Sequence, residues 1–422
     1  MVVKLAVNDI GEWSGKRVLL RADFNVPLDE AIKIRDDFRI KAILPTIQLL
    51  SAGGARVIVM SHLGRPDGVD KALSLNPVAE ALSQGLNKPV SLAPDCVGAE
   101  VEDLVRQMKD GDIMLLENLR FHPEENDNDP EFARQLAMLG DIYVNDAFAS
   151  AHRTQASNVG IAKHMKICVA GSLMKKETDE IFGAIAAPDR PFVAVVGGDD
   201  FGEKTEMIDF LLDHVDHLLL GGPVSLPFLK AKGYPVGDMS AAEVGKASEI
   251  IQRGQAKLHL PTDAVLVREV TEMGRVEKVH RMVSFTVDLD PMVEEIIGDT
   301  PELLEAVKNP IVELKPGEKV ADIGTNTGIS YQEIIRFAQT LVWTGRVGDF
   351  DDPLSKMGSQ RVTGILAMEG YLGKKCIAGG YDVLPVIAEY GVHEGFSHIS
   401  TGHRAFFECL KGKSLPGIEA LS

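Results

Sequence analysis

Short runs rich in aliphatic and β-branched residues recur along this chain, at 18–24, 56–60, 113–116, 142–144, 192–196, 218–220, 341–343 and 376–378, with amphipathic helix-like stretches between them. Such alternation is the pattern of parallel α/β sheets, because parallel neighbours need a crossover long enough to hold a helix. Many of the runs end in polar or glycine-rich segments: Asp23-Phe24-Asn25, Ser61-His62-Leu63-Gly64-Arg65, Glu117-Asn118-Leu119-Arg120, Gly197-Gly198, Gly221-Gly222 and Gly379-Gly380. In open α/β sheets ligands bind beyond the carboxyl ends of the strands, so function is expected in these loops.

The 422 residues are about twice the length of a typical domain, which predicts two doubly wound parallel sheets. A helix-like stretch at 172–187 runs into Pro188 and Pro191, which break helical continuation before the next strand, and the boundary is expected there. Residues 267–316 mix charged and apolar stretches with helix-like turns and carry no chemical motif; they read as an inserted or elaborated segment.

The formal charge of −18 opposes binding to nucleic acid or to an anionic membrane, both of which need a basic face. An anionic ligand must therefore be held by a local cationic cluster. Cys96, Cys168, Cys376 and Cys409 are far apart without a C-x-x-C spacing, so neither a disulfide framework nor a zinc site is expected. No apolar run approaches the roughly 18 residues of a membrane span, and a cytoplasmic protein is expected.

Arg21, His62, Arg65 and Arg120 end or follow strands, and Arg39 and Arg153 lie in polar segments. Singly, each is best read as a solvated surface charge. As a group they offer planar forks to phosphate or carboxylate, while Asp23 and Asn25 can accept from a ligand hydroxyl, which suits a small phosphorylated hydroxy acid.

The segments Arg21-Ala-Asp-Phe-Asn-Val-Pro27, Ser61-His-Leu-Gly-Arg-Pro66, Leu115-Leu-Glu-Asn-Leu-Arg-Phe121, Tyr143-Val-Asn-Asp-Ala-Phe148 and Ala151-His-Arg153 follow one another in an order that resembles phosphoglycerate kinase. Phe396-Ser-His-Ile-Ser-Thr-Gly402 and Leu415-Pro-Gly-Ile-Glu-Ala-Leu421 extend the resemblance to nearly the whole chain. It implies two facing domains: 1–171 for 3-phosphoglycerate or a similar acid, with the tail 405–422 packed back on it; a hinge helix at 172–188; and 189–404 for ATP or ADP with Mg2+. It further implies that Arg21, Asp23, Asn25, Arg39, His62, Arg65, Arg120 and Arg153 hold the acid, with Arg39 also stabilising the phosphoryl group in flight. A monomer is expected.

On the nucleotide side the resemblance implies Gly198, Lys204, Gly222, Asp351, Gly380, Asp382, Gly402 and Arg404 as binding residues, with Asp382 at the metal. Here the chain departs from the family pattern. The first lysine of the loop after 192–196 is replaced by Asp200, while the second survives as Lys204. An aspartate at that place opposes a transferring phosphoryl group. Glu203 and two acids also spoil a Walker A reading of the same loop. Tyr381 and Val383 flank Asp382; His403 and Arg404 replace glycines after Gly402; Asp351 stands for a glutamate at the ribose. A further glycine pattern, Val320-Ala-Asp-Ile-Gly-Thr-Asn-Thr-Gly328, mimics a methyltransferase loop but falls on the family's own Asp-Ile-Gly strand end.

Clustered departures on one side point to a family member that binds the phospho-acid while ordinary ATP-dependent transfer is impaired or rebuilt. One alternative is a working kinase whose nucleotide site is compensated by Lys204, Arg346 and Arg404. Another is a non-catalytic binding or sensor module.

Overall fold

The computed structural model describes residues 5–234, 236–272, 275–285 and 314–421. Six parallel strands form the first sheet: β1 (Arg17–Arg21), β2 (Arg56–Met60), β3 (Val90–Leu92), β4 (Ile113–Leu115), β5 (Ile142–Asn145) and β6 (Cys168–Ala170), in the order β3-β4-β2-β1-β5-β6. Leu19 lies level with Ile58 on one side and Tyr143 on the other. On one face Val18, Leu20, Val57 and Val59 pack against Ile43, Ile47 and Leu50 of the Phe38–Ala52 helix.

The second sheet also has six parallel strands. They are β7 (Phe192–Val196), β8 (His217–Leu220), β9 (Leu258–His259), β13 (Thr340–Thr344), β14 (Lys375–Ala378) and β15 (His398–Ile399), in the order β15-β14-β13-β7-β8-β9. Every residue of β7 and β13 is buried, as expected of strands covered on both faces. Trp343, Val193 and Val195 meet Ile335 and Leu366 from flanking helices. Both doubly wound sheets expected from the sequence are present.

A third, antiparallel sheet of β10 (Asp263–Glu272), β11 (Arg275–Ser284) and β12 (Lys319–Ile323) has its own small core of Ala264, Leu266, Val283 and Phe285 with Leu229 and Val236. This corrects the reading of 267–316, whose described beginning is an extended hairpin rather than helix-like turns. Val276, Val279 and Met282 recur at a helical spacing, but all three are exposed on β11 and no core selects that period. The remainder of that segment, 286–313, lies outside the described residues.

By packing, the chain divides into two units. One runs to Gly183 and includes Thr401–Cys409 and the chain from Lys413; the other is Ala184–Ser400 with Leu410–Gly412. The division falls inside the Ser172–Ala186 helix. Among the described residues no helix is long and apolar enough to cross a membrane.

Candidate active site

In the first unit the predicted acid-binding residues converge at the carboxyl ends of β1, β2 and β4. Arg21 ends β1 fully buried, its Nε donating to Ser157 Oγ at 2.8 Å and its Nη2 lying 3.2 Å from His62 Nδ1. Asp23 accepts from Arg39 Nη1 at 2.8 Å and from Ser150 Oγ at 2.6 Å. Arg39, near the start of the Phe38–Ala52 helix, also donates to the Asn25 carbonyl at 3.2 Å and, through Nη2, to the Thr401 carbonyl at 3.3 Å. Asn25 is fixed in turn, its Oδ1 accepting from Gly64 N at 2.9 Å.

Positive charge is concentrated and partly buried in this cluster. Burial, aided by the charges of Arg153 and Arg21, lowers Arg120 to about 10, and its buried Nε has no hydrogen-bond partner. Its Nη1 donates to the Gly64 carbonyl at 2.5 Å. Burial also holds His62 well below the ordinary histidine range, with Arg21, Arg120 and Arg39 adding to the effect and Asp23 opposing it. Burial pushes the Asp23 carboxyl up, but Arg39, His62, Ser150 and Arg21 more than reverse this and keep it ionised. The neighbouring cations thus lower both Arg120 and His62, and Arg120 keeps a buried donor without a partner. Arg65 is exposed, and among the described residues it has no hydrogen-bond or ion-pair partner.

His152 belongs to this cluster and was missed. Burial and the charges of Arg153 and Arg404 lower it to about 4, and its buried Nδ1 has no partner. The only signal in the sequence was its place beside Arg153. Ser150, Ser157 and Glu125 are a supporting layer: Glu125, fully buried, accepts from Ser157 N at 2.9 Å and Oγ at 2.7 Å.

In the second unit the loops after β7, β13 and β14 meet. Gly198 has φ 95° and Gly345 φ 82°, the left-handed region that favours glycine. A Cβ on Gly345 would stand 2.1 Å from the Gly197 carbonyl oxygen, so these loops touch backbone to backbone. Lys204 is buried, its Nζ donating to the Gly197 carbonyl; burial lowers its pKa while Asp382, Asp199, Glu203 and Asp200 work against that. Asp382 Oδ2 accepts from Arg346 N at 3.0 Å and lies 3.1 Å from where a Gly198 Cβ would be. Gly222 and Gly380 also take positive φ, 65° and 126°. Lys204, Asp382, Gly198 and Gly222 thus form one constellation.

The departures from the family pattern sit in three different environments. Asp200 is exposed and caps the Phe201–His214 helix, its Oδ1 accepting from Glu203 N at 2.9 Å. Tyr381 is 68% exposed. Val383 is buried in the core of the second sheet. Asp351 is exposed, 3.8 Å from Arg346 Nη1. Gly402 and Arg404, expected with the nucleotide residues, pack instead in the first unit. A Cβ on Gly402 would stand 2.5 Å from the Phe148 ring, so packing there demands a glycine. Arg404 is exposed with its charge felt by His152, and His403 is buried.

The family model for phosphoglycerate kinase matches residues 7–413. The chain belongs to the phosphoglycerate kinase family. It is 40% identical to the phosphoglycerate kinase of Gloeobacter violaceus over 422 residues, covering 100% of this chain and 99% of that one. The Aquifex aeolicus phosphoglycerate kinase is 42% identical over 421 residues, covering 99% and 98%. Among solved structures, phosphoglycerate kinase from Coxiella burnetii is similar with a TM-score of 0.80 and 32% identity, covering 99% of this chain and 98% of that one. The Pyrococcus horikoshii phosphoglycerate kinase gives 0.78 and 28%, with the same coverage.

Proposed function

We propose that this chain is a working phosphoglycerate kinase, transferring the γ-phosphoryl group of ATP reversibly to the carboxylate of 3-phosphoglycerate. The observation that carries the proposal is the crowded, partly unpartnered cationic cluster in the first unit, together with a nucleotide-type cluster that keeps Lys204 and Asp382. The acceptor carboxylate is already ionised, so no general base is needed and catalysis reduces to positioning and charge stabilisation. Arg21, His62, Arg65, Arg120 and Arg153 bind the acid, with Asn25 and Asp23 as acceptors for its hydroxyl. Arg39, aligned by Asp23, supplies positive charge to the phosphoryl group in flight.

ATP or ADP with Mg2+ is held on the second unit by Gly198, Lys204, Gly222, Gly380 and Asp382, with Asp351 placed for the ribose. Asp382 offers the hard oxygen donor that Mg2+ prefers, and Oδ2 is already oriented by the Arg346 amide. When bound, Mg2+ neutralises charge on the phosphates. The Ser172–Ala186 helix serves as the hinge between an acid-binding domain and a nucleotide domain, and the protein acts in the cytoplasm as a monomer.

Asp200 favours a second reading, in which the acid binds but transfer is weak, because a carboxylate replaces the family's lysine. Its capping bond to Glu203 favours the first reading, since a carboxylate that serves the helix terminus is oriented by the backbone. A coupled assay of ATP-dependent 1,3-bisphosphoglycerate formation by the full chain distinguishes them: saturable turnover supports the kinase, and acid binding without turnover supports the second reading.

A further inference from the structure

Outside both clusters, Asp95, Cys96 and His122 each bring one ligand-type atom to within 4.8 Å of the others. No local cysteine spacing announces this, because the three residues come from two loops. Asp95 and Cys96 follow β3 and His122 closes the turn after β4, and these two strands pair in parallel, so their carboxyl-end loops are neighbours. Glu117 N donates to the Asp95 carbonyl at 3.4 Å and ties the loops together.

We propose that Asp95, Cys96 and His122 form a binding site for a thiophilic divalent cation of the Zn2+ type, with water completing a four-coordinate shell. The ring of His122 is held in place by stacking on Phe132, with centroids 5.2 Å apart. Its Nε2 and Asp95 Oδ1 lie at hydrogen-bonding distance, 2.7 Å; Asp95 Oδ1 also accepts from Cys96 N at 2.6 Å. Cys96 is buried at the base, while His122 and Asp95 are half-buried and open the site to solvent. Tetrahedral Zn2+ with bonds of about 2.0 to 2.3 Å separates its ligand atoms by roughly 3.3 to 3.7 Å, so an ion fits after shifts of about 1 Å or less.

Charge and donor type select the ion. A thiolate and a carboxylate neutralise a dication, and Glu124 and Glu125 act on His122 and Cys96 respectively to add negative potential. Binding releases the Cys96 Sγ proton to solvent and takes His122 as the neutral imidazole, metal on Nε2 and the ring proton on Nδ1. Displacing the Cys96 Sγ proton needs an ion with strong affinity for sulfur. Mg2+, which takes oxygen ligands in octahedral array, is excluded on these donors. None of the three residues belongs to the acid or nucleotide cluster, so the proposal stands apart from the proposed function.

The test is a Co2+ titration of the metal-free full chain, because a thiolate bound to Co2+ gives an intense near-ultraviolet charge-transfer band that oxygen and nitrogen ligands do not. We expect the band to saturate near one equivalent of metal and to be displaced by Zn2+. Cys96→Ser should abolish it, Cys168→Ser should leave it unchanged, and Asp95→Asn, which preserves shape, should weaken binding by about 10-fold or more. Circular dichroism establishes that each variant is folded. Absence of the band in the folded wild-type chain, or its persistence in Cys96→Ser, overturns the proposal.

Discussion

Asp200 Oδ1 accepts a hydrogen bond from the Glu203 amide at 2.9 Å, capping the Phe201–His214 helix. A cap of this kind is worth about 1 kcal/mol. Asp200→Ala should therefore lower stability by about that amount in urea unfolding, whereas Asp200→Asn should be nearly neutral. Neither should abolish phosphoryl transfer. Loss of turnover in Asp200→Asn with an unchanged unfolding midpoint would show instead that the carboxylate works in catalysis.

Arg65 and Arg120 differ in setting but should both serve the acid. Arg65→Ala and Arg120→Ala should each weaken 3-phosphoglycerate binding by about 1.5 to 3 kcal/mol, measured by calorimetry. Arg65 is exposed and partnerless, so its loss should leave the ligand-free unfolding midpoint unchanged. Wild-type affinity in both variants would make these arginines surface charges only.

Gly345 tests the nucleotide-side loops. At φ 82° with a Cβ position 2.1 Å from a carbonyl oxygen, Gly345→Ala must move backbone. The left-handed conformation alone costs roughly 1 to 2 kcal/mol. Affinity for MgATP should fall by at least about tenfold while 3-phosphoglycerate affinity is retained. Equal loss of both ligands would point to general unfolding.

Asp322 gives a pH dependence with a definite sign. Burial raises its carboxyl from 3.8 to about 8, although it accepts from the Gly358 and Ile323 amides. The folded state keeps a proton that the unfolded chain loses, so this stabilisation is full below the unfolded value and is lost as pH rises through the folded one. The stability of wild type relative to Asp322→Asn should therefore decline from about pH 4 to about pH 8. A difference that stays flat over that range would mean that the carboxylate is ionised in the fold.

The parallel sheets were legible because β7 is apolar along its whole length and β1, β2 and β13 carry apolar centres, a short buried run bounded by polar residues. The two-residue β9 and the short β3, with Ser91 at its centre, carry too few residues for a period to show. The β10–β11 hairpin was hidden because its apolar residues on β11 fall three apart. In the first unit Arg21, His62, Arg65 and Arg120 were visible because they end or follow strands, whereas Arg39 and Arg153 stood only in polar segments. What joins them was not: Ser150, Ser157 and the Thr401 carbonyl reach the site only through tertiary packing. Asp200 carried a readable cap signal, an acid three residues before Glu203 at the start of an amphipathic run, but its place in a phosphate loop drew attention to charge instead.

The steady-state rate of ATP-dependent phosphorylation of 3-phosphoglycerate by the unmodified full chain, with Arg39→Ala as the reference, tests the central claim most directly. Turnover should saturate in both substrates, and Arg39→Ala should lower kcat by roughly a hundredfold or more, the scale of one aligned donor to a developing charge. Calorimetric binding of 3-phosphoglycerate by a chain whose rate does not exceed that of Arg39→Ala would contradict the account.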